Sequence, residues 1–196
     1  SFSGYWARFG STHPEFFNML PDGSRRSDPT YAKGEAPFIS MNVSEPGLWR
    51  QIVSDWKGKR SAFDPNIDAS EDDTMGKDMS PATLAWDVPD PNLRFPWSQR
   101  VQRAKQAFSR NDPLWPQALG SLSDRYAQFW LSVQREAQQE DPNAVVMGFA
   151  YDNYVEPPRQ TRLNDHIIIG IVPPIYFPYS DSMRTSFRRI WQGWSD

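Results

Sequence analysis

Cysteine is absent from this 196-residue chain. That excludes disulfides, thiolate metal sites and a cysteine nucleophile. Histidine is nearly absent as well, with only His13 and His166. A zinc site would need both, together with carboxylates from separate loops. There is no glycine-rich phosphate loop and no G-x-S-x-G nucleophile motif, so neither a cofactor nor a metal is expected. Long basic runs are missing too; the densest pairs are Arg25-Arg26 and Arg188-Arg189. With a net charge of -3 and a pI near 5.4, the chain lacks the footprint of a nucleic-acid binder. No apolar run approaches the length that spans a bilayer, so no membrane segment is expected. The chain opens "SFSGYW", without Met and without a signal peptide. The expectation is a processed product or a piece of a longer protein.

What is present is aromatic. The mean hydropathy of -0.70 is low for a globular chain. Yet nine Trp, twelve Phe and seven Tyr argue against disorder, which is aromatic-poor. These rings can bury a sizeable core, and the Trp count leaves some for a surface or a cleft. Eighteen Pro indicate long, stiffened loops. The length fits one domain over 1–196, or a large piece of one.

Along the chain, Ser11 or Thr12 is placed to cap a short helix with His13, Pro14 and Glu15 in its first turn. In "SEPGLWRQIVSDWKGK", Ser44 reads as a cap and Gly58 as a stop. Leu48, Trp49, Ile52, Val53 and Trp56 recur at helical spacing between them. "SAFDPNIDAS" is a weak strand candidate. Short helical turns are expected near 80–86 and 97–108. The clearest element is a helix from Ser121 or Ser123, with Tyr126, Phe129, Trp130, Val133 and Ala137 on one face. Arg125, Gln128, Gln134 and Arg135 are expected to point away from it. "AVVMGFAY" and "HIIIGIVPPIYF" then read as strands buried on both faces. A final helix runs through Met183, Phe187, Ile190 and Trp191. Helix, turn and buried strand make half of an α/β unit. Too few strands are visible for a complete sheet, so the chain is expected to be the middle of a larger barrel.

Three readings compete for "AFDPNIDASEDDTMG", which holds Asp64, Asp68, Glu71, Asp72 and Asp73. As a calcium loop, Asp64, Asn66, Asp68, Ser70 and Asp72 fall at EF-hand positions 1, 3, 5, 7 and 9. However, Ala69 stands where Gly is needed, Met75 stands where the bidentate Glu belongs, and Pro65 interrupts. As a solvated turn the stretch is ordinary. As the acidic rim of an active site it is well placed, just after a candidate strand. Glycoside hydrolysis needs two carboxyl groups in different protonation states, and crowding drives their pKa values apart.

A second polar cluster, "FAYDNYVEPPRQ", leaves the end of a candidate strand with Tyr151, Asp152, Asn153, Tyr154 and Glu156. Aromatic faces beside amides and acids suit sugar rings, which stack on aromatics and hydrogen-bond at their edges. Equally, Tyr151 and Tyr154 can be core-edge tyrosines with bonded hydroxyls. "VPPIYFPYS" supplies a third such loop with Tyr176, Phe177 and Tyr179. His166, at a strand start, reads as structural; His13, in "THPEFF", is better placed for function.

Taken in order, "HPEFFNMLPDGSRR", "ISMNVSEPGLW", the acidic stretch with "AWDVPDP", "SDRYAQFWLSVQREAQQEDPNAVVMGFAYDNYVEPPR" and "LNDHIIIGIVPP" resemble domain of unknown function 4838, from about residue 5 to 194. That group resembles the barrel domains of α-glucuronidases and β-hexosaminidases and sits in large, often secreted bacterial proteins. The resemblance implies an α/β fold: a partial (β/α) TIM-type barrel, the central portion of a glycoside-hydrolase-like barrel. It also implies a carbohydrate ligand, polysaccharide breakdown, a larger parent chain and a secreted or periplasmic setting. The family's "HPE" pattern falls on His13, Pro14 and Glu15. Its Asn-Asp pair falls on Asp72 and Asp73, so Asp stands where Asn is usual. Its tyrosine-rich strand end falls on Tyr151, Asn153 and Tyr154. Relatives often carry a cysteine cluster before "WD"; here that region has Met79 and Ala82 and no Cys. On this basis Asp73 is expected as a general acid or a substrate-positioning acid, with Asp72 tuning it. His13 and Glu15 are expected to bind sugar hydroxyls, and Tyr151, Asn153, Tyr154 and Tyr176 to form the sugar platform. The alternative is a carbohydrate-binding or scaffold domain without turnover.

Overall fold

A computed structural model describes residues 2, 4–31, 39–71, 77–172 and 177–195. In chain order its helices are α1 (Tyr5–Phe9), α2 (Pro46–Lys59), α3 (Pro81–Leu84), α4 (Arg100–Ser109), α5 (Ser123–Gln138) and α6 (Asp181–Ser195). Its strands are β1 (Ile67–Asp68), β2 (Val146–Ala150) and β3 (Ile167–Ile171). They form one small parallel sheet in the order β1-β2-β3. Ile67 lies opposite Val146, and Val146 opposite Ile167. The molecule is thus mixed helix and sheet, and all its paired strands run the same way.

Helix starts follow local chemistry. Pro46 occupies the first turn of α2, where a missing N–H leaves no helical bond unmade. The cap is Glu45, not the expected Ser44: its carboxylate accepts from Gly47 N at 2.9 Å. Ser44 is drawn inward instead, to Asn42 and Thr83. Gly58 does not stop the helix, which continues to Lys59. The expected helix after Thr12 is a single 3-10 turn, Pro14–Phe16. The strand expected over "SAFDPNIDAS" shrinks to Ile67–Asp68.

Helix α5 is the hub. With α2 it buries Leu48, Ile52, Val53, Trp56, Phe129, Trp130, Val133 and Ala137 in one cluster. Its expected polar face is only partly outside. Arg125 and Gln134 are buried, whereas Arg135 is exposed. Burial of Arg125 is tolerated because it forms two bonds of 2.7 Å to the Asp87 carboxylate, and a charge left unpaired there would be prohibitive.

Among the described residues the sheet is covered on one face only, which corrects the expectation of strands buried on both faces. Val146, Gly148 and Ala150 face α5, and Trp130 lies so close to Gly148 that a Cβ there would come within 2.3 Å of the indole. On the other face Phe149 and Ile168 are 42% and 49% exposed. Phe149 instead covers Gly170, its register partner, where a Cβ would meet the ring at 2.5 Å.

Two glycines therefore predict opposite outcomes. Gly148→Ala should destabilise the fold by about 1–3 kcal/mol through overpacking against Trp130. Gly58→Ala, exposed on α2, should stabilise it by about 0.5–1 kcal/mol. Urea denaturation of both variants checks the pair.

Candidate functional site

The three parallel strands end at one edge of the sheet, and the residues that follow β1 and β2 converge there. After Asp68, Ala69 N still bonds Met147 O at 2.8 Å, which carries the chain to Glu71. After Ala150 come Tyr151 and a 3-10 turn, Asp152–Tyr154, entered with Asp152 at a positive φ of 49°. Helix α5 supplies Tyr126 from behind.

At the centre is an ion pair cut off from water. Lys77 Nζ lies 3.3 Å from Glu71 Oε2, with side-chain exposures of 0% and 1%. Glu71 Oε1 accepts from Met41 N at 2.7 Å, and Oε2 also accepts a short hydrogen bond from the Tyr126 hydroxyl. The ammonium sits over three rings, 5.6 Å from Tyr126, 5.6 Å from Tyr151 and 5.2 Å from Tyr154. Tyr126 and Tyr154 stack at 3.8 Å, and Tyr151 tilts against Tyr154 at 4.9 Å. A desolvated cation over an aromatic face gains about 2 kcal/mol or more, and that supplements the single carboxylate. Burial raises the Tyr126 hydroxyl pKa well above the usual tyrosine range, and the negative charge of Glu71 adds to this. Tyr154 is raised by burial first and then by its tyrosine neighbours.

A second buried charge cluster supports the first. Asp87, from the "WD" segment, receives Arg125 on both oxygens and Arg100 at 2.8 Å. Arg125 also donates to the Asp78 carbonyl at 2.9 Å. The Asp78 carboxylate takes Met19 N and Ser80 Oγ, each at 2.5 Å. From Ser80 the bonding continues through Thr83 to Asn42, whose amide reaches the Glu15 carbonyl at 3.0 Å. The backbone of the His13 turn is thereby tied to the same polar network.

The described residues among those singled out in the sequence fall into three places. Tyr151 and Tyr154 come together over Lys77. Asn153 turns to the Pro116 carbonyl at 3.4 Å and borders a neighbouring cavity of about 260 Å³ with Asp90, Gln117, Asp152 and Arg159. His13 and Glu15 form their own half-exposed pair, Nδ1 to Oε1 at 3.0 Å, with the imidazole stacked on Phe16. Asp72, Asp73 and Tyr176 lie outside the described residues. Sequence reasoning missed Lys77, Tyr126, Asp78, Asp87 and Arg125 as members of the polar interior. It placed Glu71 in the acidic stretch without singling it out. Among the described residues, no group of three or more His, Asp and Glu side chains is placed to hold a metal ion. No described helix is long and apolar enough to cross a membrane.

Breaking the central pair on one side strands a buried charge. Lys77→Met should destabilise the fold by about 3–5 kcal/mol, and Lys77→Met with Glu71→Gln should recover a measurable part of the loss. Chemical denaturation of the single and double variants checks this. A spectrophotometric alkaline titration should show tyrosines withheld from ionisation. The folded pKa values of Tyr126 and Tyr154 lie above their unfolded values. Their contribution is therefore complete below about pH 10, the unfolded value, and is lost as pH rises further toward the folded ones. Their phenolate signal should appear only with unfolding.

No curated protein and no solved structure matches the chain. Residues 6–196 do match one family, described as Domain of unknown function (DUF4838). With the family's pattern running across nearly its whole length, the chain belongs to DUF4838.

Proposed function

We propose that the chain is the central portion of a glycoside-hydrolase-like (β/α) barrel, part of a larger protein, and that it acts on polysaccharide at the edge where its parallel strands end. One observation carries this reading: the segments after β1 and β2 leave that shared edge together, with Tyr151 at the margin of a buried Glu71–Lys77 pair. In α/β sheets, ligands bind beyond the carboxyl ends of the strands. The half-buried Tyr151 is the ring that a sugar face would meet, and Tyr154 beneath it fixes its tilt. Lys77 and Glu71 hold the platform from below and do not touch the substrate.

Catalysis on this reading falls to Asp72 and Asp73, which stand between Glu71 and Lys77 in the chain. One would protonate the leaving group while a second carboxylate stayed ionised. A binding domain without turnover is the second reading. It is favoured by the commitment of Glu71 to a backbone amide, a tyrosine hydroxyl and an ammonium, which leaves this carboxylate no catalytic role.

Binding and reducing-end release measured on one polysaccharide panel separate the two. Tyr151→Ala should weaken glycan binding about tenfold or more, about 1.4 kcal/mol. Asp73→Asn should leave binding in place and lower turnover by about 10²–10⁴. Binding without release in the unsubstituted protein selects the second reading. No binding to any member of the panel, with the fold intact, removes both.

A further inference from the structure

Strand β3 ends the sheet among the described residues, yet it carries the composition of a strand from the middle of one. Val146 N donates to the His166 carbonyl and Val172 N to the Ala150 carbonyl, both at 2.9 Å. Strand parity therefore turns the backbone groups of Ile168 and Gly170 toward β2 and those of Ile169 and Ile171 toward the open side. Edge strands are normally guarded by a lysine, a proline, a bulge or a covering element. The run Ile167-Ile168-Ile169-Gly170-Ile171-Val172 itself holds no lysine or proline, although Pro173-Pro174 follow it directly in the sequence. Both of its faces are apolar as well. Ile168 and Val172 are about half exposed on one side. On the other, Ile167, Ile169 and Ile171 floor a cavity of about 640 Å³ walled by Trp191, Trp194 and the 158–165 loop.

The position of α6 gives the direction of the missing neighbour. Trp194 packs 5.9 Å from the Trp130 ring and donates to the Val155 carbonyl at 2.9 Å, which sets α6 on the same side of the sheet as α5. The strands already step across the sheet in chain order, all parallel. Parallel connections keep one hand, so the next step of this progression falls on the free side of β3.

We infer that the open edge of β3 is a pairing seam that receives one further parallel β-strand, apolar on both faces, from the remainder of the larger protein. Alternate side chains of that strand fill the 640 Å³ cavity over Ile169 and Ile171, and the others cover Ile168 and Val172. This rests on the reading of the chain as part of a larger barrel, and it is tested without any glycan.

Amide exchange followed by NMR is the test. In the 196-residue chain, Ile169 and Ile171 amides should exchange about a hundredfold faster than those of Ile168 and Gly170, and the chain should sediment as a monomer. A copy of residues 166–172 is then attached after Asp196 through a Gly/Ser linker of about fifteen residues, which spans ~20 Å on average. The attached strand should slow the Ile169 and Ile171 amides about tenfold or more through its high local concentration. A spin label at its first residue should broaden Ile167 more than Ile171, as parallel pairing requires. A copy with lysine at its three cavity-facing isoleucines should give no slowing. The inference is overturned if the two amides are already protected in the monomer, or if the chain dimerises with them protected. It is equally overturned if they stay fast in the fusion or if the label reports antiparallel pairing. Any of these outcomes beside intact glycan binding would reject the seam and the barrel continuation, and leave the glycan-binding part of the proposed function standing.

Discussion

A single buried carboxylate governs how the end of this sheet is built. Glu71 sits three residues past β1, beyond the reach of the sheet's own hydrogen bonds, and it gathers partners from three other places in the chain. Met41 brings the segment before α2, Tyr126 brings α5, and Lys77 brings the chain back after residues 72–76. An isolated carboxylate at this depth would be driven to take up a proton, because burial penalises the charged form by several kcal/mol. Two donors and an ammonium remove that penalty only in one geometry. Glu71 and Lys77 also bracket the segment that holds Asp72 and Asp73. The pair thus joins the two described residues that flank that segment in the chain.

The same economy recurs along α5. Asp124 in its first turn accepts three successive amides, from Arg159, Gln160 and Thr161, at 2.7–2.9 Å. An acid there also suits the positive end of the helix. Arg125, one residue on, reaches the opposite way to Asp87 and the Asp78 carbonyl. Tyr126 meets Glu71, and Trp130 lies across Gly148. The helix is thus surrounded on its apolar stripe by hydrophobic neighbours and on its flanks by matched charge. Periodicity identifies the stripe, since Tyr126, Phe129, Trp130, Val133 and Ala137 fall on it. Periodicity assigns Arg125 and Gln134 to water only because a polar letter carries no information about a partner distant in sequence.

The same limit sorts what was legible at the site. Tyr151 and Tyr154 follow an apolar run, and that pattern alone places them at a strand end. Parallel pairing follows from a helix that leads by a short turn into the next strand. Lys77 was not legible. Nothing in "GKDMS" distinguishes a lysine under three tyrosines from one in solvent, because its cage is assembled from residues 71, 126, 151 and 154. Asp87 was visible within "AWDVPDP", but its role depends on Arg100 and Arg125, which only the fold brings near. His13 and Glu15 satisfy one another, a contact between residues two apart that a helical reading of this turn does not predict. Their link to the central pair runs through backbone and amide groups, which a reading of side chains does not register.

The exposed face of the sheet bears on function through the same physics. Phe149 and Ile168 lie on the side of the strands away from α5, and Phe149 spreads over Gly170. Helices cover a parallel sheet on both faces in open α/β folds, but on one face only when the sheet closes on itself and fills its own interior. With α5 and α6 together on one side, the bare apolar side would, on the proposed barrel reading, be an interior that other strands complete. In such a closed arrangement the strand ends would encircle one mouth, and Tyr151 would stand on its rim. The Glu71–Lys77 pair would then lie just beneath that rim. Its role would be to hold Tyr151 and the start of the acidic segment at fixed positions without itself meeting the substrate.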